Sequence, residues 1–184
     1  VATNKKFFIY LLIFVATPFI STGLTFHQIF IIGQKGWTLQ MLSQGFIFLG
    51  FFSIIGAIFG GPIIDKYNTS KVIIFTLIPL FFAILTLIFF ESNFSMFLYM
   101  SLLGLNLGIS IPFIGSLWAE LFDLESLGTV KALLHACSVF FSALSPLIFG
   151  YMIDFGLGIY SLSLLSLVII IFSTILTFFY IKTE

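Results

Sequence analysis

Long apolar runs separated by short polar breaks organise the whole chain. The breaks are Gly33-Gln34-Lys35-Gly36, Asp65-Lys66-Tyr67-Asn68-Thr69-Ser70-Lys71, Glu91-Ser92-Asn93, the stretch from Glu120 through Asp123 and Glu125 to Gly128, and Asp154-Phe155-Gly156-Leu157-Gly158. Between them lie six apolar blocks, near residues 6–33, 38–63, 71–91, 94–119, 127–153 and 158–181. A bilayer core of about 30 Å needs roughly 20 apolar residues per helix, and these blocks have that length. They lack the period-two alternation of membrane strands, and a backbone in lipid must satisfy its own hydrogen bonds. The pattern therefore predicts an all-α membrane protein with six transmembrane helices, packed as one bundle over residues 1–184.

The lysines orient the spans. Six crossings put both termini and the second and fourth loops on one side, with Lys5, Lys6, Lys66, Lys71, Lys131 and Lys182. The other side holds Lys35 alone. Basic residues accumulate on the cytoplasmic side, so both termini are expected there. Lys5-Lys6 before an apolar run imitates a signal peptide. The run continues to about Ile32, well past the roughly 7–15 residues of such a segment, and reads as a retained span.

Composition narrows the class. The chain has 184 residues, of which 60% are hydrophobic and 8% charged. That charge cannot solvate the surface of a soluble globule. The formal net charge is zero, which gives nucleic acid no electrostatic footprint. Arg is absent, and Cys137 is the sole cysteine, so neither an internal disulfide nor a cysteine zinc cluster can form. Cys137 reads as a small packing residue. The 27 Phe suit lipid-facing helices and specify no activity.

An internal repeat emerges between the second and fifth blocks. Phe51-Phe52-Ser53 aligns with Phe140-Phe141-Ser142, and in the same register Gly61 meets Gly150, Ile64 meets Ile153 and Asp65 meets Asp154. Both blocks end in Gly-x-x-Ile-Asp. Three spans separate them, so they cross the membrane in opposite senses, as in an inverted 3+3 repeat with units near 1–93 and 94–184. Chance matching in an apolar background is the competing explanation.

Gly61-Pro62-Ile63-Ile64-Asp65-Lys66-Tyr67-Asn68-Thr69-Ser70-Lys71 resembles the loop motif of the major facilitator superfamily, Gly-x-x-x-Asp-(Arg/Lys)-x-Gly-(Arg/x)-(Arg/Lys). Gly61, Asp65 and Lys66 match. Asn68 stands where glycine is usual, and Lys71 lies one place past the usual basic position. Trp118-Ala119-Glu120-Leu121-Phe122, then Leu127-Gly128, Ser145-Pro146, Gly150 and Asp154, resemble spans ten and eleven of bacterial monocarboxylate and oxalate/formate-like carriers. His27-Gln28 before Gly36-Trp37 resembles the end of span seven in that group. The resemblance covers nearly the whole chain and points to the C-terminal six-helix half. It implies a second, N-terminal six-helix half as partner, alternating access around a central cavity, no cofactor, and residence in a bacterial cytoplasmic membrane.

Moving a polar solute needs polar groups facing a cavity near mid-bilayer. The substrate-cavity candidates are His27, Gln28, Gln44, Asn106, His135, Ser138 and Ser142, with Ser21 and Ser53 also at depth. His135, Ser138 and Ser142 share one helical face, which Lys131 extends toward the cytoplasm. Histidine is the residue type suited to proton coupling, which makes His135 a candidate for it, against the plainer reading of a histidine bonded between helices. The oxalate-type carriers use a cationic residue on this span, and Lys131 lies too near the membrane edge to replace it. The span-eight arginine used by some carboxylate carriers has no counterpart, because the chain has no Arg, and this departure weakens a dicarboxylate reading; the resemblance implies a monocarboxylate.

The resemblance gives Gly61, Asp65, Lys66 and Lys71 a conformational role, with the Asp65 carboxylate latching onto a helix N-terminus of the other half. Such a contact contributes about 0.3–2 kcal/mol. The plainer reading is an interfacial loop charge. Gly56-x-x-x-Gly60 and Gly104-x-x-x-Gly108 suit close helix packing, as do Pro146, Gly150 and Asp154 within the family pattern. Pro18, Pro79, Pro112 and Pro146 fall within spans and read either as bending points or as locally tolerated prolines. Glu120, Asp123 and Glu125 read as a solvated acidic edge. Asp154-Phe155-Gly156 spells a kinase tripeptide with no other kinase element. No metal-ligand or nucleophile–base pattern is present, so the chain is not expected to be an enzyme. The expected function is transport of a small organic solute, coupled to protons. The alternative is a non-transporting membrane subunit that packs against a partner.

Overall fold

The computed structural model describes residues 5–183, and at Lys5, Lys6, Asp65, Lys71, Leu124 and Thr183 it describes the backbone alone. The described residues form helices and no strand: α1 (Lys5–Phe26), α2 (Gln28–Lys35), α3 (Leu39–Lys66), α4 (Thr69–Val72), a 3-10 turn (Ile73–Leu77), α5 (Ile78–Phe89), α6 (Asn93–Leu121), α7 (Leu124–Asp154) and α8 (Ile159–Thr183). Five of them, α1, α3, α6, α7 and α8, are long and apolar enough to cross a membrane. The chain is an integral, multi-pass membrane protein in architecture.

Two expected spans are not continuous helices. The first breaks at His27, between α1 and α2. The ladder still runs through the break, from His27 N–H to Gly23 O at 3.3 Å and from Ile31 N–H to His27 O at 3.0 Å. His27 Nδ1 also donates to Gly23 O, at 2.9 Å. Ring and backbone donors share one acceptor, which loosens that turn.

The third expected span, 71–91, is α4, the 3-10 turn and α5 in succession. Pro79 at the start of α5 explains the change of pitch. It has no N–H for the preceding turn, and its ring excludes the regular α register there. α5 alone has 12 residues, about 18 Å of helix, so the irregular turns before it belong to the same apolar segment.

Packing divides the six longest helices into two central and four outer ones. α1 packs on α7 and α8, α6 packs on α3 and α5, and α5 meets α8. In the most apolar stretch of α1, 61% is buried inside the bundle, against 11% for α3 and 17% for α7. α1 and α6 are thus the core, and α3 and α7 present most of their surface outward. An aromatic cluster closes one end of the core, where Phe7, Phe14 and Phe122 surround the Trp118 ring.

Between α3 and α6 the backbones touch through glycine. A Cβ on Gly104 would overlap the carbonyl oxygen of Leu49, and one on Gly108 that of Ser53. From the other side, a Cβ on Gly56 would lie 2.6 Å from Leu105 O, and one on Gly60 2.8 Å from Pro112 Cγ. In lipid, association rests on such close approach, because apolar burial is no longer a driving force.

Candidate functional site

The polar residues of α1 and α7 meet along one seam. Thr22 and Ser142 share a hydroxyl–hydroxyl bond of 2.8 Å, and Ser145 donates to the carbonyl of Phe19. Gly23 makes the approach possible, since a Cβ there would overlap the Phe149 ring and the Ser145 hydroxyl. One turn further, the His27 ring lies 6.4 Å from Phe149. Its Nε2 would be 3.6 Å from a Cβ at Gly150. Nδ1–H serves the Gly23 carbonyl, so in the neutral ring Nε2 is a free acceptor facing α7.

Outward from this seam α7 becomes exposed. His135 and Lys131 are exposed, Ser138 is half-buried, and Ser142 is half-buried against Thr22 of α1. His135 lies eleven residues past Leu124 (135 − 124), about 16 Å along the axis and so deep within the span. On the opposite flank Gln44 is exposed on α3, and Ser53 is half-buried against α6.

The remaining candidates lie elsewhere. Gln28 is buried, and its Nε2 donates to the Tyr99 hydroxyl at 2.9 Å. Asn106 is fully buried and donates from Nδ2 to the Thr76 carbonyl at 2.8 Å. Both side chains tie helices together inside the bundle, away from the α3 and α7 faces. Ser21 is buried and donates to Thr17 O within α1. The structure thus brings Ser142 and His27 to the α1–α7 seam, leaves Gln44 and His135 on open faces with Ser138 half-buried on α7, and takes Gln28 and Asn106 into the core.

The loop after α3 is held by a residue read from sequence as a solvated acid. Glu120, at the end of α6, accepts from Thr69 N–H at 2.8 Å, from Ser70 N–H at 3.3 Å and from the Ser70 hydroxyl at 2.6 Å. The Thr69 and Ser116 hydroxyls bond at 2.8 Å beside it. A carboxylate here satisfies N–H groups that α4 leaves free at its start. Sequence spacing could not supply this cap, because acceptor and donors are about fifty residues apart. Asp123 and Glu125 are exposed.

Within the motif, Gly61 is half-exposed with nothing near an added Cβ, and Lys66 is exposed, 5.3 Å from the Tyr67 ring. The side chains of Asp65 and Lys71 lie outside the described ones. Pro146 follows Ser145 within α7, and Asp154 is exposed at its end. Cys137 is half-buried on α7.

At the other membrane edge, Lys35 Nζ donates to Phe90 O at 3.2 Å and lies 5.6 Å from the Tyr160 ring centroid. The Trp37 indole donates to Ser92 O. Partial burial lowers the Lys35 ammonium from its ordinary range, and nearby Glu91 opposes that. Among the described residues no three His, Cys, Asp or Glu side chains come together as a metal site.

The family model described as Major Facilitator Superfamily matches residues 6–184. A comparison with curated proteins returns no match.

Proposed function

Because the chain belongs to the major facilitator superfamily, whose members are membrane transporters and not enzymes, we propose that it carries a small organic solute by alternating access. The uncovered face of α7 carries this reading. An ionisable side chain deep in a span faces protein or a water-filled cavity, since exposure to lipid is costly. His135 is exposed in this bundle, as is Gln44 on α3. Their faces therefore border a cavity completed by a second six-helix unit. This chain corresponds to the C-terminal half, and the partner to the N-terminal one.

The bundle is one domain built as an inverted 3+3 repeat, in which α4, the 3-10 turn and α5 form the third span. The pairing of helices supports the repeat. Exchanging α1 with α6, α3 with α7 and α5 with α8 swaps the α3–α6 pair with α1–α7 and the α5–α6 pair with α1–α8, and leaves α5–α8 in place. Ser53 and Ser142, matched in the sequence register, sit at corresponding crossings, one against Gly108 and the other against Thr22.

Ser138, Ser142, His27 and Gln44 line the cavity with His135. Gln28 and Asn106 hold its walls. The first substrate class is a monocarboxylate, taken together with a proton through His135. The alternative of a non-transporting subunit leaves the polar seam between α1 and α7 without a task. The lysine asymmetry sets both termini in the cytoplasm, in a bacterial cytoplasmic membrane.

Uptake into proteoliposomes tests the proposal. The chain is assayed alone and joined to a six-span N-terminal half, against small carboxylates with and without a pH gradient. Gradient-driven uptake by the joined protein is the expected result. A folded joined protein that moves no carboxylate under either condition would remove the substrate assignment.

A further inference from the structure

A small cavity of about 10 Å³ lies in the bundle core between α1, the 3-10 turn and α6. Its polar lining consists of the hydroxyls of Thr17, Thr76 and Ser110, set among apolar side chains that include Phe14 and Phe113. All three hydroxyl residues are more than nine-tenths buried. The volume is at the lower end of what one water requires.

The hydrogen bonding around the cavity is incomplete in a specific way. Ser110 donates to Asn106 O at 2.8 Å, and Thr76 donates to Ile73 O at 2.6 Å. Each hydroxyl has thereby committed its one proton and keeps lone pairs to accept with. The Thr17 hydroxyl, 7% exposed, has no partner among the described residues. A second buried acceptor, Asn106 Oδ1, is also unpaired, on the side chain that holds the Thr76 carbonyl. Prolines remove backbone donors from the flanking segments at this level. Pro18 withdraws the donor that an α-helix would give to the carbonyl of Phe14, and Pro79 does the same beside Thr76.

We infer that this cavity binds one ordered water molecule. It accepts from Thr17 and donates to the hydroxyl oxygens of Thr76 and Ser110. Three hydrogen bonds are the usual complement of a buried water. The occupant is neutral. Every lining group is uncharged, and the described carboxylates Glu91, Glu120, Asp123, Glu125 and Asp154 all lie at helix ends. A bare cation at this depth has no counter-charge to offset its desolvation. The water sits beside two turns from which proline has removed a backbone donor, one inside α1 and one at the start of α5.

Water-edited solid-state NMR of the full chain in lipid bilayers provides the test. Magnetisation from water is expected to reach the side chains of Thr17, Thr76 and Ser110, despite their burial. In Thr17→Val it is expected to vanish at Thr76 and Ser110, with the rest of the spectrum unchanged. Ser110→Ala is the second variant, with loss expected at Thr17 and Thr76, and it decides the matter if Thr17→Val misfolds. No transfer in the natural sequence would overturn the inference, as would transfer retained in the folded variants. Exchange of Na⁺ for choline should leave these resonances in place. A shift confined to them would replace the water with a cation.

Discussion

The side-chain amide of Asn106 on α6 holds the backbone carbonyl of Thr76, 2.8 Å away in the 3-10 turn. That carbonyl lies three residues before Pro79, which has no N–H to offer the 3-10 register. Asn106 therefore supplies from another helix the donor that proline removed. An unpaired buried carbonyl costs about 1–3 kcal/mol. Asn106→Ala is expected to lower stability by that amount, read from thermal unfolding in detergent. Pro79→Ala restores an N–H, so its combination with Asn106→Ala should lose less than the two single changes summed. Simple additivity in the double-mutant cycle would mean that the two residues are independent.

The α3–α6 contact makes a second prediction. Gly108→Val places side-chain carbons into the backbone of Ser53 and should destabilise the bundle by at least the roughly 1–3 kcal/mol typical of overpacking. Gly115→Ala on the same helix meets nothing and should be neutral or mildly stabilising. Equal melting temperatures for the two variants would show that the helices separate readily.

Glu120→Ala should release the start of α4. Three hydrogen bonds to the carboxylate disappear, and caps of this kind contribute about 1–2 kcal/mol. Amide exchange should rise over residues 69–77 and stay unchanged in α8. Protection that persists at Thr69 and Ser70 would assign their order to the helix packing alone.

His135→Gln separates coupling from structure. The side chain is exposed, so the variant should fold normally. Uptake by the joined two-half protein should lose its dependence on pH between about 5 and 8, the range in which histidine titrates. A retained pH profile would return His135 to a packing role at the inter-half face.

Cysteine accessibility fixes the topology. With Cys137 replaced by Ser, single cysteines at Lys66 and Lys131 should react only from the cytoplasmic side, and one at Lys35 only from outside. The opposite labelling would invert the orientation.

Much of the architecture was legible because lipid imposes a length and a composition on each crossing. The second, fourth, fifth and sixth apolar blocks end within about three residues of α3, α6, α7 and α8. The third block was misread as one helix, because hydropathy is blind to the pitch change that Pro79 imposes. The break at His27 was equally hidden, since it depends on a side chain bonding its own preceding turn. Polarity and depth are the only marks a cavity residue leaves in the sequence. Those criteria gather Ser138, Ser142, Gln28 and Asn106 alike. Which of them reach an open face depends on helix rotation, and in an apolar chain all faces look similar. Glu120 was missed for another reason: its donors are close in space and remote in sequence.

The pairing of α1 with α7 and α8, and of α6 with α3, also sets an order of assembly. A ribosome delivers α1 and α3 into the membrane before α7 and α6, the helices they pack on, exist. α3 meets α6 only after another fifty or so residues have been made, and α1 waits for α7, which begins at Leu124. Until then each early helix stands in lipid with its glycine surfaces unfilled. The α3–α6 contact can therefore close before α7 is made and the α1–α7 contact only after it, so the pairs most distant in sequence are the last to form.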